Sequence, residues 1–381
     1  MKLTPHNAPH IAIVAPSLVP DEGVGGVANR QIELLAQDFR ISAFSAKGSV
    51  GTSDVLHHKV KPMKLNWLRR FAHSPREVIL AQRFGKALAT RQREQPINLV
   101  LYHSHVVANI AHRYLPTSVK SALLVHGDIF SRPPGVYDRL LTRLYKKHSL
   151  LAYQACDLIV ALSQPMAERI QSYGVAKHKI AVIPNGLPDI GAPKTPCPEI
   201  ERKRLRVLFV GRLNVEKDPL TLVTALRDCP PNVHLTLVGD GSLRPELESF
   251  VQQHGLSDRV AFLGKLDAEN VAKRYQVSDV LCVSSTSDSF PTVILEAMSM
   301  GLPVVGSDVD GIPFMVEHEK TGLLFPPSNH KELARHITHL ANHPKQVQAM
   351  GQSAYQRFKH RFTLEQNTQA LRERLLCTIQ L

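Results

Sequence analysis

The chain offers no cysteine pair. Its five cysteines, Cys156, Cys197, Cys229, Cys282 and Cys377, are scattered without a CxxC or a histidine at ligand spacing. That supports neither a disulfide framework nor a zinc site, and reduced thiols in the cytoplasm are the simplest expectation. Long apolar runs are missing too. Ile11 to Ala15 and Ala122 to Val125 have strand length, far short of the roughly 18 residues of a membrane span. The first of these runs meets Pro16, Pro20 and Asp21 without a long h-region or a small-residue cleavage site, so it is expected to be a first strand and not a signal peptide. Low-complexity tracts and short-period repeats are also absent.

Acids are scarce in one region. Residues 1–190 carry 24 Lys+Arg against 12 Asp+Glu, and residues 191–381 carry 22 against 21, so the formal charge of +13 is almost wholly N-terminal. Between Lys59 and Arg93, the cations Lys61, Lys64, Arg69, Arg70, Arg76, Arg83, Lys86 and Arg91 face Glu77 alone, with Trp67, Leu68 and Phe71 interleaved. Such a segment suits an anionic membrane surface, where each cation contributes about 1 kcal/mol. A solvated helix face is the other reading. No recognition module, RNP-like aromatic motif or zinc finger accompanies the charge, so no nucleic-acid partner is expected.

What is present is a two-domain α/β pattern. At 381 residues and 43% hydrophobic content the chain exceeds what one ordinary core serves. Short apolar runs alternate with helical-period segments, as in parallel sheets covered by helices. Strands are expected near Ile11–Ala15, Ile41–Phe44, Leu99–Tyr102, Ala122–His126, Leu158–Ala161 and Ile180–Ile183. The second half adds Arg206–Val210, His234–Val238, Val260–Leu263, Val280–Val283 and Pro303–Val305. A proline-rich, charged stretch between Pro184 and Arg204 reads as a linker. The expected plan is an N-terminal domain over residues 1–188, a linker over 189–204, a second domain over 205–360 and a C-terminal helix over 361–381 that packs back on the first domain.

Several strand ends carry chemistry. GVGGVA at Gly23–Ala28 formally satisfies G-x-G-x-x-A, but PSLVPDE separates it from the strand and no acid follows the second strand, which argues against a dinucleotide site. Gly25 and Gly26 still suit close approach to a ligand, with a structural turn as the alternative. Strand Arg206–Val210 runs into a loop presenting Arg212 and Lys217, two cations able to neutralise a diphosphate, or else surface cations beside Glu216 and Asp218. Gly239-Asp240-Gly241 makes a tight turn, and Gly264-Lys265-Leu266 ends the next strand. The most informative stretch is DSFPTVILE, in which Asp288 and Glu296 flank a Phe-Pro step that opens an apolar helix. Unpaired N–H groups there suit a phosphate, and the carboxylates suit sugar hydroxyls.

In this order GRLNVEK, LVGDG, FLGKL, SDSFPTVILEAMSMGLPVVGSD and TGLLFPP resemble the donor domain of retaining glycosyltransferases of family 4, over about Arg206 to Pro327. The likeness extends more loosely to the Gly-Gly loop, to VHG at Val125–Gly127 and to IPNG at Ile183–Gly186. It implies the GT-B fold, two Rossmann-like doubly wound parallel-sheet domains facing a central cleft. It also implies transfer of a sugar, with retention, from a nucleotide-diphosphate donor, a UDP-sugar being favoured, to a saccharide or lipid-linked acceptor in envelope polysaccharide, lipopolysaccharide or glycolipid synthesis.

By the same resemblance Arg212 and Lys217 match the diphosphate pair, Glu296 the ribose ligand, Asp288 the residue contacting the donor sugar and His126 the histidine reaching the transferring sugar. The amides of Ser289, Phe290, Pro291 and Thr292 match the helix start by the phosphates. Gly25, Gly26, Gly239, Gly241 and Leu266 complete the implied donor site. No cofactor and no metal are expected, and the localisation expected is cytoplasmic, peripheral on the inner face of the cytoplasmic membrane. Three positions depart from the pattern: Asp288 stands where Glu is typical, Asp310 where a second Gly often precedes Gly-Ile-Pro, and Phe314 where Glu commonly follows. Asp308-Val309-Asp310 also spells D-x-D, a metal motif of another glycosyltransferase fold. Rival readings keep the fold and change the reaction to epimerisation, hydrolysis or phosphorolysis, or keep only nucleotide-sugar binding.

Overall fold

Four- and five-residue runs rich in Val, Ile, Leu and Ala, buried on both faces, pair most readily as the inner strands of parallel sheets covered by helices. The computed structural model describes residues 8–19, 23–52, 55–61, 74–127, 139–189 and 204–380, and the chain divides into two compact units. The first unit, Met1–Gly186 with Leu364–Leu381, contains β1 (His10–Val14), β2 (Ser17–Leu18), α1 (Gly23–Leu35), β3 (Arg40–Ser45), β4 (Lys47–Gly48), β5 (Leu56–Lys59) and α2 (Ser74–Glu94). These are followed by β6 (Leu99–Tyr102), α3 (His105–Ala111), β7 (Lys120–Val125), α4 (Arg139–Ala155), β8 (Leu158–Ala161), α5 (Gln164–Ser172) and β9 (Ile180–Val182). Seven strands form one parallel sheet in the order β5-β3-β1-β6-β7-β8-β9, and β2 pairs with β4 beside it.

The second unit, Leu187–Thr363, runs β10 (Leu205–Val210), α6 (Pro219–Arg227), β11 (Val233–Val238), α7 (Arg244–Gln253), β12 (Val260–Gly264), α8 (Ala268–Val277), β13 (Val280–Val283) and α9 (Thr292–Ser299). It continues with β14 (Val304–Ser307), α10 (Ile312–Met315), β15 (Gly322–Phe325), α11 (His330–Asn342) and α12 (Pro344–Arg361). Its parallel sheet has the order β12-β11-β10-β13-β14-β15. Strand order reverses between β10 and β13 here, and between β1 and β6 in the first unit. These are the topological switch points at which open α/β sheets bind ligands. The core behind this sheet joins Val207, Leu222, Leu235, Val280, Phe325 and Ile337. The last helix, α13 (Leu364–Gln380), belongs to the first unit. It packs on α1, and Arg372 pairs with Asp38 at 2.8 Å.

Strands arise at all the expected runs, with small shifts at the ends. Of the additional ones, β15 is an apolar, largely buried GLLF run that the expectation omitted, and the others have weak sequence signals. LHHK of β5 lies at the sheet edge with no fully buried position, and β2 and β4 are two residues each. The units divide between Gly186 and Leu187, slightly before the boundary expected at residue 188. Leu187 bridges to Thr363, and Tyr355 bonds Asp189 at 3.3 Å. Most of the expected linker lies outside the described residues.

Candidate active site

In the second unit the loop after β10 carries both expected cations. Asp218 takes a left-handed conformation with φ 43° and caps α6, accepting from the Thr221 N–H at 3.2 Å. The preceding Lys217 is thereby fixed at the mouth of the switch point. Its carbonyl accepts from Ser284 Oγ at 3.0 Å, and the Glu216 carbonyl accepts from the Thr286 N–H at 2.9 Å, so the loops after β10 and β13 are stitched together. The Lys217 ammonium forms an ion pair with Asp288, whose side chain is only 13% exposed. Arg212 is different: its side chain is 69% exposed and lies 3.8 Å from Glu216.

A second layer of contacts holds Asp288. Asp310 Oδ2 accepts from the Asp288 N–H at 3.1 Å and from Ser287 Oγ at 2.7 Å, while the Asp288 carbonyl accepts from Gly311 at 3.2 Å. Asp310 has φ 46°, which accounts for the glycine usual there, and the polar side chain tolerates that conformation while bonding locally. Gly311 has no such freedom, because a Cβ would lie 1.8 Å from the Ser289 carbonyl oxygen.

Gly239 and Gly241 are required by close approach. A Cβ on Gly239 would meet the Gly211 carbonyl oxygen at 1.8 Å, and one on Gly241 the Leu213 carbonyl oxygen at 2.2 Å. Gly239 also donates to the Gly264 carbonyl at 2.8 Å, just before the half-buried Leu266. Helix α9 begins at Thr292 after the N-cap Pro291. The side chains of Phe290 and Pro291 are buried, Phe290 packing 6.2 Å from Phe362. Only backbone groups of these two residues are left for a ligand, and of the two only Phe290 has an N–H to donate, since proline has none. The half-buried Phe314 also packs on Phe362, with the Arg361 guanidinium 5.0 Å from its ring, so this departure serves packing between α10 and the end of α12.

Glu296 lies one turn into α9, where its Oε2 accepts from Tyr275 Oη at 2.8 Å. Tyr275 is buried, and that burial and the neighbouring Glu296 push its hydroxyl well above the ordinary range, so it stays a donor. Sequence reasoning missed Tyr275. It is the one buried side chain of α8, and no motif in the sequence marks it.

The first unit supplies His126 at the carboxyl end of β7. It stacks on His103, which follows β6, with ring centroids 5.1 Å apart and Nδ1 of His103 2.8 Å from Nε2 of His126. His103 was also missed; HSH directly after a strand at the switch point is its signal. Gly25 and Gly26 lie inside the first turn of α1, not in a loop. A Cβ on Gly25 would meet the Val19 carbonyl oxygen at 2.7 Å, so this glycine also admits neighbouring backbone. Of the basic segment, Lys64, Trp67, Leu68, Arg69, Arg70 and Phe71 lie outside the described residues. Arg91 is not a surface cation: it is buried and bonds Ser42 Oγ at 3.2 Å and Gln95 Oε1 at 2.6 Å. Burial pushes the Glu77 carboxyl up to about 7, which makes its surroundings more basic.

The histidines make an acid-stability prediction. Burial lowers His103 and His105 to about 4, and burial with the two neighbouring rings holds His126 well below its ordinary 6.5. In this range the unfolded chain binds more protons than the folded one. The stabilisation is therefore complete above about pH 6.5 and is lost as pH falls towards 4, on the order of 3 kcal/mol for each of His103 and His105. Thermal melts from pH 8 to 4 are expected to steepen below 6.5, and His103→Gln with His105→Gln to flatten that part. An unchanged slope in the double variant would exclude the histidines as its cause.

Two doubly wound parallel sheets with polar groups collected at their switch points define a GT-B architecture. Among solved structures, sucrose-phosphate synthase from Thermosynechococcus elongatus superposes with a TM-score of 0.81 at 21% identity, covering 97% of this chain and 99% of that one. HepE from Anabaena in complex with UDP-glucose gives 0.76 at 21% identity, covering 97% and 99%. The family model for Glycosyltransferase Family 4 matches residues 28–189, and that for Glycosyl transferases group 1 matches residues 197–357. The chain belongs to the family 4-type GT-B glycosyltransferases. D-inositol 3-phosphate glycosyltransferase of Xylanimonas cellulosilytica is 33% identical over 223 residues, 54% of this chain and 51% of that protein. The chain spans about half to three-fifths of the length of such curated relatives.

Proposed function

We propose that this protein transfers a sugar from a nucleotide-diphosphate donor, with retention and without a metal ion, to a saccharide or lipid-linked acceptor of envelope polysaccharide, lipopolysaccharide or glycolipid synthesis. The observation that carries the reading is the Lys217–Asp288 ion pair, which joins the loops after β10 and β13 across the switch point. A cation for the diphosphate and a carboxylate for the sugar are thus held side by side. Arg212, exposed on the same loop, and the amides around the start of α9 supply further positive potential for the leaving group. Glu296 takes the ribose hydroxyls, and His126 of the first unit takes an oxygen of the transferring sugar.

Chemically, the bond from the anomeric carbon to the phosphate oxygen breaks while the acceptor oxygen bonds the same carbon from the same face. The acceptor proton passes to the departing phosphate oxygen. Electrostatic preorganisation does the work, and no side-chain base is required. The engagement of Asp310 with Ser287 and the Asp288 amide favours a structural role for the D-x-D sequence over a metal site. Likeness to a UDP-glucose-bound structure supports a UDP-sugar donor. The basic first unit suits a peripheral position on an anionic cytoplasmic membrane face.

A thermal-shift screen of UDP, GDP, ADP and their sugars tests the reading. One nucleotide family is expected to raise the melting temperature, since a ligand at about 100 times its Kd adds about 2.7 kcal/mol. That donor is then expected to release nucleotide only when an acceptor is supplied. No shift with any nucleotide would overturn the reading, and acceptor-independent release would turn it into hydrolysis.

A further inference from the structure

The proposed reaction leaves the partner of His126 unassigned. His103 and His126 follow the adjacent parallel strands β6 and β7, so both rings stand at the carboxyl end of the first sheet. A hydrogen bond between two ring nitrogens contains one proton, and two neutral imidazoles carry one N–H each. Two arrangements therefore satisfy the 2.8 Å contact. Either His103 donates from Nδ1 to a bare Nε2 of His126, or His126 donates from Nε2 to a bare Nδ1 of His103.

The far nitrogen of His103 decides between them. His103 Nε2 is buried and has no hydrogen-bond partner. In the first arrangement that atom is a lone pair, and in the second it is an N–H without an acceptor. Buried N–H groups left without an acceptor are the rarer and costlier defect. A doubly protonated His103 would bury the same orphan donor with a charge added, and desolvation alone holds this ring neutral until about pH 4.

We infer that His103 is a positioning residue: as the Nδ1–H tautomer it donates to His126 Nε2 and so fixes His126 with its own proton on Nδ1. This rests on the proposed transferase reading and deepens it. His126 Nδ1 makes no hydrogen bond among the described residues and is free to donate to a ligand oxygen. The Nε2 lone pair is occupied and Nδ1 already carries a proton, so His126 has no free site to accept a proton. It therefore serves as a hydrogen-bond donor to an oxygen of the transferring sugar and not as a base for the acceptor hydroxyl, in keeping with retention without an enzyme base.

The tautomers can be read directly by long-range proton–nitrogen correlation NMR on the full chain labelled with 15N-histidine near pH 7.5, with His103→Asn and His126→Asn used for assignment. The expected result is a proton on Nδ1 and a bare Nε2 in both rings. A proton on Nε2 of His126, or an imidazolium at either position, would overturn the inference. Kinetics supply a second arm. Asn at 103 can still donate from the position of Nδ1, whereas Asp can only accept. His103→Asn is expected to stay within about threefold of the parent, and His103→Asp to lose on the order of 10²-fold in kcat at similar donor KM. Equal activity of the Asn and Asp variants, with both folded by thermal melt, would also overturn it. If the parent transfers no sugar from any donor, the transferase reading fails, and the NMR result still decides the tautomers.

Discussion

Lys217→Ala is expected to reduce sugar transfer on the order of 10³-fold in kcat and to lower the melting temperature at the same time. The two effects have separate causes. Transfer falls because the ammonium is gone from the position where diphosphate charge develops. Stability falls because Asp288, 13% exposed, keeps a largely desolvated carboxylate without its partner, at a cost on the order of 2 kcal/mol. Lys217→Ala combined with Asp288→Asn removes that orphaned charge, so it is expected to regain most of the lost stability and none of the activity. Arg212→Ala provides the contrast. Its side chain is 69% exposed and 3.8 Å from Glu216, so activity should fall with an unchanged melting temperature. Near-normal turnover in Lys217→Ala would sink the diphosphate role, and recovery of activity in the double variant would reduce it to a structural ion pair.

Much of this site was legible because its parts are local in sequence. GRLNVEK and DSFPTVILE each place their residues directly after a buried apolar run, and strand order then brings the two loops together at the switch point. Pairings across elements were not legible. Tyr275 reaches Glu296 from α8, and Asp310 reaches the Asp288 amide from the loop after β14. Nothing in the spacing of those residues encodes a contact made by two helices or two loops of one sheet. His103 was hidden for the same reason, since its meaning depends on β6 lying beside β7. Charge was misread where burial decides: Arg91 counts as a cation in composition but is spent on Ser42 and Gln95 inside the unit. Gly25 and Gly26 looked like a loop because glycine is a poor helix former, yet the close approach of the chain at Val19 favours a residue without a Cβ at Gly25 even inside a helix.

Glu296→Ala is expected to weaken nucleotide binding on the order of 10²-fold, the loss of about 2–3 kcal/mol from hydroxyl hydrogen bonds to a charged carboxylate. Tyr275 donates to one oxygen of this carboxylate at 2.8 Å, which orients the group for the ribose. Tyr275→Phe removes that donor while keeping the ring that fills the interior, so binding should weaken by roughly tenfold or less. Isothermal titration with the parent nucleotide and its 2′-deoxy and 3′-deoxy forms separates a ribose role from a general effect on the helix. The parent protein should bind at least one deoxy form more weakly, whereas Glu296→Ala should bind that form and the ribonucleotide alike, because the hydroxyl has lost its acceptor. Tyr275→Phe should retain part of the discrimination, since the carboxylate is present but less well oriented. If Glu296→Ala still discriminates as the parent does, the ribose is read elsewhere and Glu296 acts only through its bond to Tyr275.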